Sequence, residues 1–237
     1  MNKICKTVII DNHNTSCFNA HLIVWPGIVE QHLKNISVVD HRKLLVGPKY
    51  TLLGNVSNSK NAHRRSEGVL ISMGGSDKRN LLEKIVKAFK MRKELFHVKI
   101  IIGNFYVHGK RIENIVKNDT RFTIIKNNDN LVPLMSAAKI GIFTFGVTTF
   151  EALNAGLPSL IISHSRENDL AAKKLAQYGC TYYLGYYKNI NFRNIPKLVL
   201  KLISNSKLMR EYSRRGKNLI DGRGNKRVAR KIVSLLK

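Results

Sequence analysis

From Gly68 onward, short apolar runs alternate with segments in which apolar residues recur at helical spacing. The runs "GVLISM", "FHVKIIIG", "RFTIIK", "KIGIFTF", "PSLIIS" and "TYYLG" have the length and β-branched content of buried strands. Between them lie helix-period segments. One carries Leu82, Ile85, Val86 and Phe89, one runs near Arg111 to Lys117, and a short one lies around Leu131 to Ala138. Two more run from about Thr148 to Ala155 and from about Asn168 to Tyr178. Strands that alternate with helices predict a parallel sheet covered on both faces, a doubly wound, Rossmann-like α/β fold. Two or three basic amphipathic helices close the chain, the last with Val228, Ile232 and Leu235 on one face.

Residues 1 to about 60 follow a different pattern. "KTVIID" and "AHLIVW" are short buried-strand candidates, followed by "HRKLLVGPKYTLLGNV" and the polar connector "SNSKNAHRRSE". This is too little for a complete domain. The expected division is therefore a partial α/β portion with its linker over 1–60, and a complete Rossmann-like domain with basic C-terminal helices over 61–237.

Composition changes the picture at one point. The chain has 237 residues, 43% of them hydrophobic and 24% charged, ordinary values for a globular protein, but Lys+Arg 41 against Asp+Glu 15 leaves a formal charge of +26. Such a field attracts phosphates, nucleic acid or an anionic membrane surface. It is steepest at the end, with 14 Lys or Arg from Asn191 onward against Glu211 and Asp221. Cys5, Cys17 and Cys180 form no CxxC pair, which supports neither a disulfide framework nor a zinc site. No stretch reaches the roughly 18 apolar residues of a membrane span, and the opening apolar segment is short for a signal peptide. The expected location is the cytoplasm, with peripheral contact to the inner face of the membrane.

In an open parallel sheet, ligands bind beyond the carboxyl ends of the strands, where turns present backbone N–H groups and helix N-termini to an anion. Two turns stand out. Gly74-Gly75-Ser76-Asp77 follows the strand ending at Met73; its glycines allow a tight turn, and Ser76 or Asp77 can cap the next helix. The turn lacks the spacing of a P-loop and of the GxGxxG fingerprint, which disfavours a kinase or a nicotinamide enzyme. In "TFGVTTFEALNAGLPSLII", Gly146 follows a strand, Thr148 and Thr149 stand at a helix start, and Glu151 lies one turn further in. Glu151 is placed to accept both hydroxyls of a ribose. Equally, Thr148 can be a plain helix cap, with Glu151 favouring the positive end of the dipole.

The residues "SMGGSD", "GVTTFEALNAGLPSLII" with "REND" after it, and the closing "DGRGNKRVARKIV" together resemble one family. They are similar to the nucleotide-sugar-binding half of the UDP-sugar hydrolase of pseudaminic acid biosynthesis and its spore-coat polysaccharide glycosyltransferase relatives. A more distant likeness is to the lipid-linked N-acetylglucosaminyltransferase of peptidoglycan synthesis. The likeness runs over about residues 40 to 237, with "LLVGPKYTLL" at an interdomain crossing, and implies the two-domain GT-B fold. It implies that Gly74, Gly75 and Ser76 face a diphosphate, and that Gly146, Thr148 and Thr149 complete its cradle. Glu151 would hold the ribose, with Glu167 and Asn168 near the sugar. The uracil would sit around Ile125 and Asn127, leaving Leu131 and Met135 in the core. Val147 and Phe150 depart from the small residue and the Trp usual in relatives.

The resemblance also implies a glycine-rich loop with a histidine in a first domain, and nothing here matches it. "TVIIDNHNTSCFNAHLIVW" resembles only the last portion of that domain, and His13 and His21 read as loop or strand-end residues. The catalytic residue is therefore not assigned from sequence. The leading expectation is an enzyme that hydrolyses a UDP-linked amino or deoxy sugar, releasing UDP for nonulosonic acid or surface polysaccharide synthesis. It would need neither metal nor cofactor, since no DxD-type pair is present. One alternative is a glycosyltransferase to a glycan or lipid acceptor. Another is a non-catalytic subunit whose protein partner supplies the rest of the first domain. Nucleic-acid binding is disfavoured because no aromatic platform or recognisable motif accompanies the basic residues. The basic C-terminal helices suit either an anionic membrane or packing onto the domain with solvated charges outside.

Overall fold

The computed structural model describes residues 5–10, 20–28, 44–54, 56, 67–92 and 97–236. His13, Cys17 and most of the polar connector lie outside the described residues. The chain forms two compact units, one made of Met1–Gly54 with Leu219–Lys237 and the other of Asn55–Asn218. Sequence order places the closing helix with the second region; in the structure it belongs with the first strands.

In the smaller unit, β1 (Val8–Ile10), β2 (Leu22–Trp25) and β3 (Leu44–Val46) form a parallel sheet in that order. His21 stands at the start of β2 and its Nδ1 accepts the Thr7 N–H at 3.1 Å, a strand-end role that needs no chemistry.

The larger unit contains β4 (Glu67–Ser72), α1 (Leu81–Lys90), β5 (Val98–Ile102), α2 (Gly109–Val116), β6 (Phe122–Lys126), α3 (Val132–Ala137) and β7 (Ala138–Thr144). It continues with α4 (Val147–Asn154), β8 (Ser159–Ser163), α5 (Arg166–Gln177), β9 (Tyr182–Tyr186), α6 (Ile195–Ser204) and α7 (Ser206–Leu219). Its six strands are all parallel, in the order β6-β5-β4-β7-β8-β9. The doubly wound architecture expected from the alternation is therefore the one observed.

The two-residue period of the strands divides the core between the two faces. Val69, Ile71, Ile100, Ile140 and Ile142 point to one face, where α1 lays down Leu81, Leu82, Ile85, Val86 and Phe89, and α6 adds Ile195 and Val199. Leu70, Ile101, Phe143 and Ile161 point to the other, against Met135 of α3, Ala152 of α4 and Ala172 of α5. Each large side chain so buried contributes about 1.5–3 kcal/mol relative to exposure. Burial on both faces is why these strands read as unbroken apolar runs.

The closing helix α8 (Gly224–Ser234) puts Val228 on Leu22 and Val24 of the small sheet, with Ile232 and Leu235 beside it. Asn225 holds the neighbouring segment through its side chain: Oδ1 accepts the Leu53 N–H at 3.0 Å and Nδ2 donates to the Leu53 carbonyl at 2.9 Å. Arg227 donates to both Asp221 carboxylate oxygens and to the Lys49 carbonyl. This pairing holds the Asp221 carboxyl down at about 2. The closing "DGRGNKR" and the "GPKYTLL" segment are thus two sides of one contact.

Candidate functional site

In a sheet of this order the direction of winding reverses between the two central strands, and the helices that follow them leave on opposite faces. Here those strands are β4 and β7, paired from Val69 with Ile140 to Ser72 with Phe143. A cleft of about 730 Å³ opens at their carboxyl ends. It is lined by the β4–α1 turn (Gly74 to Arg79), the β7–α4 turn (Thr144 to Thr148), and His164 and Ser165 after β8.

The β4–α1 turn rests on the turn after β5. Gly74 has φ of +81°, and the Phe105 N–H donates to the Gly75 carbonyl at 2.9 Å. A Cβ on Gly103 would lie 2.3 Å from the Gly74 oxygen and 2.4 Å from that of Gly75, so only glycine permits this approach. Of the two cap candidates the structure uses Asp77: its carboxylate accepts the N–H of Leu81 at 3.0 Å and of Leu82 at 2.8 Å. Burial pushes the Asp77 carboxyl above its ordinary value, against the opposing effect of those two hydrogen bonds. Tyr106 steadies the same corner by donating to Asn80 at 2.5 Å.

Three helices begin at this cleft, and their first turns differ. At α1 the free N–H groups are taken by Asp77. At α5 the Ser165 Oγ accepts the Asn168 N–H at 3.2 Å, and Glu167 and Asp169 occupy the first turn. At α4 the N-cap position is Gly146, with no side-chain cap and no acidic residue in the first turn. The alternative in which Thr148 is a plain helix cap does not hold: the N-cap is Gly146, and Thr148 is the second residue of α4, on the cleft wall. Of the three, α4 alone leaves its helix N-terminus open to an incoming anion.

The structure brings Gly74, Gly75, Ser76, Gly146 and Thr148 together around one space. Thr149 is turned away from it. Its side chain is 0% exposed and its hydroxyl donates to the Thr144 carbonyl at 3.2 Å, because the third residue of α4 faces the sheet. Glu151 is half-buried on α4, one turn beyond Thr148, and burial raises its carboxyl above the ordinary value. Asn168 lies next to the rim, its Nδ2 3.4 Å from Nε2 of His164, and Glu167 is exposed beside it. Ile125 joins the Leu131 and Met135 cluster, and Asn127 follows β6 on exposed backbone with φ of +49°. β6 is two strands from β4, so this pair lies apart from the cleft lining. Val147 projects into solvent on the cleft wall, 63% exposed, and Phe150 meets Phe145 edge to face.

Sequence reasoning missed three basic residues that line the cleft. Lys78 and Arg79 bring positive charge, and the Arg79 guanidinium lies 5.4 Å from the Tyr187 ring centre. His164 is the third. Partial burial, with the nearby Arg79 cation, holds its imidazole below the ordinary value, while Asp77 acts the other way. The only signal in the sequence is its place directly after the buried run "PSLIIS". Among the described residues no cluster of His, Cys, Asp and Glu is arranged to hold a metal ion, and no helix is long and apolar enough to cross a membrane.

The model of the glycosyltransferase family 28 C-terminal domain matches residues 69–227. The spore coat polysaccharide biosynthesis protein SpsG of Bacillus subtilis is 21% identical over 229 residues, which cover 94% of this chain and 68% of SpsG. An uncharacterized protein of Methanocaldococcus jannaschii is 31% identical over 176 residues, 68% of this chain. The chain spans only 36% of that relative's length. Among solved structures, S. aureus MnaA in complex with UDP superposes with a TM-score of 0.63 at 15% identity, covering 92% of this chain and 61% of MnaA. These likenesses place the larger unit among the Rossmann-like C-terminal domains of GT-B proteins. The hydrolase expectation draws no support from them; glycosyl transfer fits them better.

Proposed function

Because the chain belongs to the glycosyltransferase family 28 C-terminal domain family, we propose that it carries the donor site of a glycosyltransferase that moves a sugar from UDP to a glycan or lipid acceptor. The observation that carries this reading is the uncapped N-terminus of α4, set between the Gly74-Gly75-Ser76 turn and the basic Lys78 and Arg79. In transfer, an acceptor oxygen forms a bond to the anomeric carbon as the bond from that carbon to the diphosphate breaks. Negative charge grows on the leaving diphosphate. Preorganised N–H groups and cations stabilise that charge more than they stabilise the ground state, which is what accelerates the step.

In this reading the diphosphate lies between Gly74–Ser76 and Gly146–Thr148, and Glu151 accepts the ribose hydroxyls. Glu167 and Asn168 approach the sugar, and the uracil extends toward Ile125 and Asn127. Three strand spacings separate β6 from β7, roughly 14 Å, a span for the donor laid across the strand ends. The relative named for polysaccharide biosynthesis and the UDP-bound neighbour support the donor class. The group that deprotonates the acceptor comes from outside the cleft residues, in this reading from the rest of a first domain or a protein partner that supplies it. The basic residues from Asn191 onward suit work beside an anionic membrane, where lipid-linked acceptors reside.

The test is UDP release from a panel of UDP-sugars, with and without lipid-linked and soluble glycan acceptors, on wild type and Glu151→Ala. Release that requires an acceptor and falls in the variant supports transfer. Equal release without acceptor would make water the acceptor, and no release with retained UDP binding would make the chain a donor-binding subunit.

A further inference from the structure

His164 stands at the carboxyl end of β8 and shares the cleft wall with Gly74, Ser76 and Gly146. It is exposed on one side and meets the Asn168 amide on another, Nδ2 lying 3.4 Å from Nε2 and 3.5 Å from Nδ1. The charged groups acting on the ring from the facing β4–α1 turn are Arg79 and Asp77. Asp77 already spends both oxygens on α1, so it is a weakly available partner. From the β7–α4 turn the cleft receives Thr144, Phe145, Gly146, Val147 and Thr148, none of which titrates. Arg166, Glu167 and Asp169 follow on α5, where Asp169 pairs with Lys173 and with Tyr183. The cleft therefore sets the ring beside the Arg79 cation, with Asp77 the carboxylate that acts on it in the opposite sense.

We infer that His164 is a proton-linked ligand of the donor diphosphate: the imidazole takes a proton from solvent as the diphosphate enters and then donates an N–H to a phosphate oxygen. The inference rests on the donor-site reading above. Before binding, partial burial and then the Arg79 cation lower the ring's proton affinity and favour its neutral form. A diphosphate brings two negative charges into the space between Arg79 and His164, reversing the local field. The neutral ring can accept from the Asn168 amide, whereas the imidazolium can only donate. Protonation thus asks Asn168 to present its carbonyl oxygen, which couples the charge state of the diphosphate site to a residue placed beside the sugar.

The sign follows from linkage. The bound state holds the proton more tightly than the free state, so the gain in affinity is full below the free-state pKa and vanishes above the bound-state one. Burial, then Arg79, hold the free ring below the ordinary histidine value. The affinity should therefore increase as pH falls through the range between the bound-state and free-state values, by at most about tenfold per pH unit for a single proton.

The probe is UDP-N-acetylglucosamine, because its diphosphate is a diester and carries no proton that titrates in this range. Calorimetric titrations in two buffers of different ionisation enthalpy report protons taken up on binding, for wild type, His164→Gln and His164→Lys. Histidine-ring NMR, with the His164 signal identified by its loss in His164→Gln, reports the ring's own titration with and without ligand. The expected result is fractional proton uptake and an upward-shifted His164 titration in wild type. His164→Gln should show no uptake and a flat pH profile, and His164→Lys should bind tightly without pH dependence. Binding that Thr148→Val weakens, but with the same proton uptake in wild type and His164→Gln, would overturn the role of His164 and leave the donor site standing. Failure of both UDP and UDP-N-acetylglucosamine to bind would overturn the donor site and this inference with it.

Discussion

Oδ2 of Asp77 accepts the backbone N–H of Leu82 at 2.8 Å, closing the first turn of α1 with a side chain from the turn that faces the cleft. The same carboxyl is pushed above its ordinary value by burial. A raised folded-state value means that the charged form costs stability above that value and that folding is favoured as pH falls toward it. Asp77→Ala loses the cap and is expected to destabilise by about 0.5–2 kcal/mol. Asp77→Asn keeps one acceptor oxygen but turns its NH2 toward the other N–H, so at pH 7 it should fall between wild type and Asp77→Ala. Urea denaturation of both variants reads the difference; equal losses would mean that a single acceptor does not close the helix.

Gly103 supports the diphosphate turn without lining it. Gly103→Ala drives a methyl group into the carbonyls of Gly74 and Gly75. Overpacking of this kind costs about 1–3 kcal/mol. Because the displaced atoms belong to the turn itself, affinity for UDP should fall along with the denaturation midpoint. A loss of stability with unchanged UDP affinity would show that the turn does not hold the ligand.

Asp119 anchors Arg121 and Lys90, and the Arg121 hydrogen bonds hold its carboxyl well below the usual carboxylate range. With a depressed folded-state value, the contribution is present above the unfolded-state pKa and is lost as pH falls through the folded one. Its side chain is 12% exposed beside partners that reach solvent, so screening limits the effect to about 1 kcal/mol at pH 7. Asp119→Asn should show that loss at pH 7 and a smaller one at about pH 2, in denaturation curves taken at both.

Asn225 satisfies both backbone groups of Leu53, a residue only 2% exposed. Asn225→Ala leaves those groups without their partner, at a cost of about 1–3 kcal/mol. The loss should appear as faster amide exchange over residues 44–54, with the amides of β4 and β7 protected as before. Uniform acceleration across the chain would mean that the two compact units open together.

The strands and helices of the larger unit were legible because parallel strands buried on two faces leave continuous apolar runs, and α1 shows its period in Leu82, Ile85, Val86 and Phe89. The start of α5 was read two residues late. Its first turn, Arg166-Glu167-Asn168, has no apolar period, and only the Ser165 hydrogen bond marks the beginning. Thr149 looked like a cleft hydroxyl because polar residues at a helix start usually face out; its position within α4 turns it to the sheet. His164 carried almost no signal, since a lone histidine after a strand is meaningful only when strand order is known. What brings it to the cleft is β8 pairing with β7, a contact that sequence spacing does not reveal. The grouping of α8 with β1–β3 escaped for the same reason: it joins the two ends of the chain.

The central claim is that the space between the β4–α1 and β7–α4 turns takes UDP. Its most direct test is calorimetric titration with UDP, with ATP as the control, on wild type and on Thr148→Val, a cleft-wall substitution outside the core. The account predicts selective binding of UDP that weakens severalfold in the variant, the size expected for loss of one or two hydrogen bonds to a charged group. Equal affinity for UDP and ATP, or UDP binding that Thr148→Val leaves untouched, would contradict it.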